Sequence, residues 1–193
     1  PVVNIERTAQ GVMVRTREGE PEMFDKVILA SHADQSLRML ADATPLEQDL
    51  LCPFKYQSNE AILHTDDRFM PKTRRCWASW NYLIQPAQDG GIKPSTHYWM
   101  NSLQGVSDRT NYFVSINADE TLAPEKVLRR IPYEHPLFDV EASRAQKHLP
   151  ELNRLSRDQT TYFCGSYFRY GFHEDAFMSA VNLCRDLLGG EPW

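Results

Sequence analysis

The order of apolar and polar positions at the start of the chain predicts paired strands. Residues 2–7 and 12–17 are valine-rich, β-prone runs, and the short connection between them ends in Gly11. A glycine at that point is typical of a hairpin. Val27–Ala30 is apolar without interruption, which is typical of a strand covered on both faces. We therefore expect a hairpin followed by a buried strand.

Two short helices are predicted next. The apolar spacing is helical over 36–40 and again over 45–51. Thr44 is suited to cap the second helix, and Pro45 then occupies its first position, where the missing N–H costs nothing.

The middle of the chain predicts an antiparallel sheet. Pro71, the polar stretch 88–91 and the stretch 105–111 interrupt four β-prone runs. The runs are 59–65, 75–83, 96–102 and 112–117. Strands at such spacing favour antiparallel neighbours.

The last part of the chain alternates between helix and strand. A proline-containing loop at 132–136 leads into a predicted helix at 141–149, which Pro150 should end. A strand at 160–165 and a final helix at 174–188 follow. This order suggests an α+β protein in which one layer, formed by both ends of the chain, is interrupted by an inserted antiparallel sheet with helices.

Composition excludes several classes of function. The 193 residues are 41% hydrophobic and carry a net charge of -5, so neither nucleic acid nor an anionic membrane is an expected partner. Apolar runs are too short for a membrane span and no leader is evident, so we expect a cytoplasmic protein. The cysteines form no CxxC pair, and His97, His135 and His148 have no carboxylate or cysteine partners at ligand spacing, so no metal site is expected. Because a strand-like run follows Pro1 at once, we expect the chain to be cut from a longer one.

The segment 162–175 carries the strongest functional signal. It places Gly165, Gly171 and several aromatic residues directly before a helix. Unpaired N–H groups and a positive dipole at a helix start stabilise a flavin carbonyl or a phosphate. The alternative is purely structural: the glycines make a turn, the aromatic rings fill a core, and Glu174 caps its own helix.

This segment resembles the last cofactor-binding motif of the flavin-containing amine oxidase superfamily. There a strand ending in Tyr-Phe-Ala-Gly precedes a Gly-aromatic-x-Glu helix entrance, as do Tyr162–Gly165 and Gly171–Glu174 here. The runs Pro1–Ile5, Gly11–Val14 and Phe24–Ala30 resemble the family's β-meander and returning strand. The middle of the chain is similar to one bacterial branch, the predicted NAD/FAD-binding proteins. The phrases that carry this similarity are Tyr56–Asp66, Trp77–Tyr82, Tyr98–Gln104 and Gly171–Asp175.

The resemblance implies a domain plan. Residues 1–45 and 158–193 would be the returning and final pieces of a Rossmann-like α/β FAD-binding domain. Residues 46–157 would be a substrate domain built on an antiparallel sheet. The missing N-terminal half of the chain would then be a partner, and exposed apolar surface near 27–30 and 160–165 would favour a homodimer.

The resemblance also assigns cofactor-binding positions. Val2 is the candidate for the adenine side, with Val3 second, and Glu174 belongs to the helix-entrance motif. The flavin would be surrounded by Gly165, Gly171, Phe172 and His173, with the His173 N–H facing the pyrimidine carbonyl and Phe172 facing the substrate. His32 ends a predicted buried strand, where ligands gather in α/β sheets, and is a further candidate. Cys164 replaces the family's alanine away from the position of covalent attachment, so FAD is expected to be non-covalent.

Two departures limit what the resemblance implies. Ala176 stands where the family has glycine, and GxGxxG is absent although it holds the pyrophosphate in this family. We therefore do not expect this fragment alone to bind FAD tightly or to be active. The full-length protein would pass a hydride from an unknown small-molecule substrate to FAD.

No catalytic residue is identified from the sequence. His64 and Asp66 lie two apart on a predicted strand and could form an acid-base pair, although a structural histidine is favoured. The alternative functions are a non-catalytic domain that binds an apolar ligand and an interaction module.

Overall fold

The computed structural model of the chain describes residues 1–86, 90–118, 122–155 and 160–191. The strands are β1 (Val2–Thr8), β2 (Gly11–Thr16), β3 (Glu22–Phe24), β4 (Val27–Leu29), β5 (Lys55–His64), β6 (Trp80–Pro86), β7 (Ile92–Trp99), β8 (Phe113–Ile116), β9 (Val127–Leu137) and β10 (Thr161–Phe163). The α-helices are α1 (Ala33–Met39), α2 (Pro45–Leu51), α3 (Met100–Gln104), α4 (Val140–Gln146), α5 (Pro150–Arg154) and α6 (His173–Leu188). Short 3₁₀ turns occur at Arg74–Cys76, Pro124–Lys126 and Ser166–Phe168.

The chain forms two compact units. The first contains 1–57 together with 136–193, and the second contains 58–135. The first boundary lies at 57/58 rather than at 45/46, because α2 packs into the core of the first unit. The predicted boundary at 157/158 falls outside the described residues, but α4 and α5, which precede it, already belong to the first unit.

The first unit begins with a three-stranded antiparallel sheet. Its order is β1-β2-β3, and Ile5 lies opposite Val14 in the predicted hairpin. Ile5 and Val12 are buried beneath it. The short strand β3 was not predicted, because the polar turn before it hides a run of only three residues.

A two-stranded parallel sheet joins the two ends of the chain. Val27 of β4 lies opposite Thr161 of β10, and Leu29 lies opposite Phe163. The prediction that β4 is covered on both faces was wrong for one residue, since Ile28 is 48% exposed. The three residues of β10 are buried, so the exposed apolar surface predicted around 160–165 is not found there.

One core holds the first unit together. It is formed by Ile5, Val12, Leu29, Leu51, Phe54, Leu149, Leu152, Phe163 and Tyr167, with smaller residues between them. Thr44 caps α2 as predicted: its Oγ1 accepts from the Glu47 N–H, and the Glu47 carboxylate accepts from the Thr44 N–H. Pro150 opens α5 instead of only ending the helix before it, because proline is well tolerated at a first helical position.

The second unit is built on a five-stranded sheet in the order β6-β7-β8-β5-β9. The neighbours β6–β7, β7–β8 and β8–β5 pair antiparallel. The predicted loop at 132–136 lies within β9 instead. Pro132 and Pro136 are tolerated there because β9 is an edge strand, which needs hydrogen bonds on one side only.

Several strand boundaries of the five-stranded sheet differ from the prediction: β5 begins at Lys55 instead of 59, and β7 begins at Ile92 instead of 96. The strand expected to start at 75 begins at Trp80, after a 3₁₀ turn, and the strand expected to reach 102 ends at Trp99, where α3 begins. The fold class is nevertheless the predicted one, an α+β protein of mixed helices and antiparallel sheets. Over the described ranges, no helix combines the length and apolarity needed to cross a membrane.

Candidate functional site

The carboxyl ends of β4 and β10 meet at one edge of the parallel sheet. The Cys164 N–H donates to the Leu29 carbonyl over 3.0 Å, so the two strands leave the sheet together. A Cβ placed on Gly165 would lie 3.5 Å from the Ser31 carbonyl oxygen. Ligands of open α/β sheets bind at such strand ends. His32, Gly165 and the segment after it are therefore brought to one place.

Gly165 is required by its surroundings. A Cβ there would lie 2.6 Å from Cε1 of Tyr167, whose ring is fully buried. The Gly165 N–H donates to Ser179 Oγ over 2.8 Å. Because Ser179 belongs to α6, this bond fixes the final helix against the end of β10.

The entrance of α6 is open. Gly171 has a φ of +91°, and a Cβ there would lie 3.2 Å from both Phe138 and Pro136. The next residue, Phe172, is 70% exposed, and His173 and Glu174 are exposed as well. The first N–H groups of a helix have no partner within it and carry partial positive charge. This entrance can therefore accept an electron-rich group from outside.

Asp175, not Glu174, caps α6. Asp175 is 6% exposed, and its Oδ2 accepts from the N–H groups of Tyr170 (3.1 Å) and Phe172 (3.0 Å). The alternative in which Glu174 caps its own helix is therefore wrong. The sequence pair Glu174-Asp175 could have predicted this cap. Asp175 is the third helical residue, and a side chain at that position can reach back to the backbone N–H of the capping residue.

His32 lies at the cap of α1, stacked on Tyr56 with ring centroids 4.1 Å apart and planes 5° apart. The Tyr56 hydroxyl accepts from the Ala33 N–H over 2.9 Å. Desolvation by burial raises the pKa of Tyr56 to about 12, although the Ala33 hydrogen bond acts in the opposite direction. Tyr56 therefore stays neutral and holds His32 at the strand end, a role that sequence reasoning missed.

Val2 lies elsewhere, on β1, where it pairs with Thr16 and is 38% exposed. A side-chain contact links β1 to β10: Arg7 Nε donates a hydrogen bond to Thr161 Oγ1. This contact could not be predicted from the sequence, since an arginine in a strand is usually a surface residue.

Cys164 is buried against Tyr162 and Leu183 and is 5% exposed. Burial, with a smaller contribution from Cys184, raises the pKa of its thiol. A thiol in this environment stays protonated and is a poor nucleophile.

His64 and Asp66, both in the second unit, do not form an acid-base pair. The Asp66 carboxylate is bound by Arg68, and Asp66 contacts the His64 ring only through its backbone N–H, at 3.1 Å from Nδ1. The Arg68 hydrogen bond is the main reason that the pKa of Asp66 lies well below its usual range. Desolvation lowers the pKa of His64 to about 4. These contacts agree with the structural histidine favoured above.

Comparison with known proteins relates the fold to solved structures. A UDP-galactopyranose mutase in its reduced form matches with a TM-score of 0.63 and 16% identity, over 98% of this chain and 46% of the mutase. A CLA-producing fatty acid isomerase from P. acnes matches with a TM-score of 0.57 and 13% identity, over 97% and 46%. A putrescine oxidase bound to putrescine gives 0.57 and 12%, over 98% and 48%.

The chain has the fold of the amine-oxidase-like flavoproteins. It spans about half the length of those solved structures. No family model matches the sequence, and no curated protein matches it. Because these sequence identities are low, the similarity shows a shared fold and does not extend to a shared activity.

The residues present fit one end of a flavin cofactor. Asp175 already binds the N–H groups of Tyr170 and Phe172, which leaves the N–H groups of the first helical residues, His173 and Glu174, to face the carbonyl edge of an isoalloxazine ring. The sequence has no GxGxxG, so the element that would hold the pyrophosphate is not found in it.

Proposed function

We propose that this chain forms the C-terminal part of an FAD-dependent oxidoreductase that transfers a hydride from an unidentified small-molecule substrate to non-covalent FAD. The first unit would be the returning part of the FAD-binding domain and the second unit the substrate domain. The open edge of the parallel sheet carries this proposal.

The hydrogen bonds of the parallel sheet define which edge is open. The Val27 N–H donates to the Thr160 carbonyl over 2.7 Å, and the Leu29 carbonyl accepts from Cys164. In a strand the peptide groups of alternate residues point to opposite sides. Val27 and Leu29 thus face β10, and the peptide groups of Ile28 face away from it.

The outer edge of β10 is already closed. The Phe163 N–H donates to Asn153 Oδ1 over 2.8 Å, and Asn153 Nδ2 donates back to the Phe163 carbonyl over 2.9 Å. The side-chain amide therefore takes the place of a neighbouring strand. Among the described residues, the edge of this sheet left for another strand is the Ile28 edge of β4.

A parallel sheet of two strands is unusual, because parallel sheets normally have several strands buried under helices on both faces. We therefore expect a further parallel strand beside Ile28. Its source would be the segment that carries the glycine fingerprint missing from this sequence. Such a strand would place a pyrophosphate-binding turn at the same sheet edge as Ser31 and Gly165.

The residues at this edge have distinct proposed roles. Bound FAD would supply the hydride acceptor. The His173 N–H at the α6 entrance would donate to the pyrimidine carbonyl, and Glu174 would belong to the same entrance. Phe172, already 70% exposed, would cover the ring on the substrate side and exclude water. Val2 stays the proposed adenine contact and His32 a cofactor neighbour.

The chemistry of Cys164 supports non-covalent binding. Its thiol is buried and has a raised pKa, so it does not attack the flavin ring. No general base is proposed, since flavin oxidation of an amine does not require one. The cytoplasm stays the proposed compartment.

The test is made on the full-length protein of which we propose this chain to be a part. We expect purified protein to show the absorbance of oxidised flavin. Ile28→Glu should lose it, because a further strand would cover this half-exposed side chain and burying a charge there is costly. Ile92→Glu is the matched control, because Ile92 is a 71% exposed strand residue in the second unit. Full-length protein that contains no flavin and cannot be reconstituted with FAD would refute the proposal.

A second candidate is an apolar-ligand-binding or interaction domain, with a homodimer as one form. Trp80, Tyr82 and Ile84 alternate along β6, share one face of the sheet, and are each more than half exposed. Contiguous exposed apolar surface marks binding sites. Native mass spectrometry that finds a retained acyl ligand and no flavin would favour this candidate over the first.

A further inference from the structure

In the second unit, the guanidinium of Arg74 lies against two indole rings that meet edge to face, with centroids 5.3 Å apart. Its Cζ lies 4.0 Å from the ring centre of Trp77 and 4.6 Å from that of Trp99. The Arg74 Nη2 and the Trp99 Nε1 both donate to Asn111 Oδ1, over 3.3 and 3.1 Å. Stacking and hydrogen bonding therefore orient an arginine that is otherwise exposed.

This arginine borders a cavity of about 400 Å³. Arg109, Asp108, Trp99 and Asn111 line the same cavity. Among the described residues, none of the three charged side chains forms an ion pair. The cavity thus combines two positive charges with one negative charge, a net charge of about +1 from formal charges at neutral pH.

The loop that lines this cavity is held by hydrogen bonds from Asn101. Asn101 Nδ2 donates to the carbonyls of Ser107 and Thr110, over 2.6 and 2.7 Å, and Asn101 Oδ1 accepts from the Tyr112 N–H over 2.8 Å. Ser107 Oγ accepts from the Arg109 N–H over 3.1 Å. One asparagine therefore organises the loop that carries Arg109. A pre-organised loop loses little entropy when a ligand binds.

We infer that this cavity binds a small organic monocarboxylate. A guanidinium fork matches a carboxylate geometrically, and a single negative charge balances the net charge of the cavity. The half-buried ring of Trp99 lines the cavity and can contact the apolar part of such a molecule. This site does not depend on the flavin proposal, because its residues belong to the second unit and need no cofactor.

Titration of the full chain with sodium benzoate tests the site, by isothermal calorimetry and by tryptophan fluorescence. Benzamide has the same shape without the charge, and inorganic phosphate tests the other anion that arginine favours. We expect benzoate to bind, benzamide to bind at least about tenfold more weakly, and phosphate to bind more weakly than benzoate.

Variants locate the binding. Arg74→Gln and Arg109→Gln should each weaken benzoate binding about tenfold or more, since each removes a charged donor. Arg75→Gln is the matched control, because Arg75 is an exposed neighbour outside the cavity lining and loses the same charge. Thermal melting verifies that each variant is folded, and Arg109, on an exposed loop, keeps the test valid if Arg74→Gln unfolds.

Three results would overturn the inference. The first is the absence of benzoate binding, and the second is phosphate binding as tight as that of benzoate. The third is an equal loss of affinity in Arg75→Gln and Arg109→Gln, which would mean that benzoate responds to surface charge in general and not to this cavity.

Discussion

Arg7 Nε donates a hydrogen bond to Thr161 Oγ1 over 3.1 Å, although the two residues are 154 positions apart. The same guanidinium binds Glu47 Oε1 through Nη2 at 2.6 Å, and both of these charged side chains are only 10% exposed. One buried cation thus connects the first hairpin, α2 and β10. The two ends of the chain are held in one unit by this contact as well as by the parallel sheet.

Arg7→Met should destabilise the protein strongly. It removes the charge, keeps the length of the side chain, and leaves the Glu47 carboxylate buried without its cation. Breaking a buried ion pair in this way costs about 3 kcal/mol. Urea denaturation measures the free energy of unfolding. Arg15→Met is the matched control on β2, because Arg15 lies 3.9 Å from Glu6 on the surface and such pairs contribute about 0–1 kcal/mol. Equal losses in both variants would contradict the role of Arg7.

Gly165→Ala should destabilise the first unit, because the new methyl group would meet the buried Tyr167 ring at 2.6 Å. Overpacking of this kind costs about 1–3 kcal/mol. Gly190→Ala is the control, since nothing lies within 4 Å of a Cβ there. Thermal melting compares the two variants, and a Gly165→Ala protein that melts with the wild type would show that Tyr167 can move.

A chain of hydrogen bonds in the second unit predicts sensitivity to acid. The Asp66 N–H donates to His64 Nδ1, so the neutral ring donates from Nε2 to Ser115 Oγ over 2.7 Å. The Ser115 hydroxyl can then donate to His97 Nδ1 over 2.6 Å, and His97 Nε2 donates to Ser95 Oγ. Each bond in this direction requires neutral histidines. Protonation of His64 places a donor against the Asp66 N–H, and protonation of His97 removes the acceptor of the Ser115 hydroxyl.

The pKa values set the pH range. Desolvation lowers the pKa of His64 and of His97 from 6.5 to about 4 in the folded protein. Between pH 6.5 and about pH 4, these two histidines bind protons more readily in the unfolded chain than in the folded one. The stability contributed by neutral rings is therefore complete above about pH 6.5 and is lost as the pH falls towards 4.

Unfolding measured in urea from pH 7.5 to 4.5 should show this loss, and His97→Gln should reduce the slope of stability against pH. Ile62→Val, which alters packing at a buried position of β5 without removing a titrating group, should leave the slope unchanged. The slope is compared rather than the stability itself, because His97→Gln also alters packing. An unchanged slope in His97→Gln would rule out this explanation.

Local signals made much of the fold predictable. Thr44 with Pro45 indicated the start of α2, and Gly11 indicated the hairpin, because caps and turns depend on neighbours in sequence. The β9 strand was missed because its prolines read as a loop, and only its place at a sheet edge makes them acceptable.

The site was predictable in outline and not in detail. The glycines of 162–175 pointed to the helix entrance, because their conformation is a local property. Two contacts hold the site in place: Tyr56 stacks on His32, and Ser179 accepts a hydrogen bond from Gly165. Both arise from tertiary packing and leave no pattern along the chain. The contacts of the buried Arg7 with Thr161 and Glu47 also join residues far apart in sequence, so they too leave no local pattern.

Asn153→Leu should weaken the attachment of β10. The substitution leaves both the N–H and the carbonyl of Phe163 without a partner at a buried edge, and each unsatisfied group costs about 1–3 kcal/mol. Asn182→Leu is the control, because Asn182 is exposed on α6 and its amide oxygen accepts only a long bond from Arg185 at 3.3 Å. Hydrogen exchange of the Phe163 amide gives the most direct reading: it should accelerate in Asn153→Leu and not in Asn182→Leu. Unchanged protection in Asn153→Leu would mean that the edge of β10 is closed by something other than this side chain.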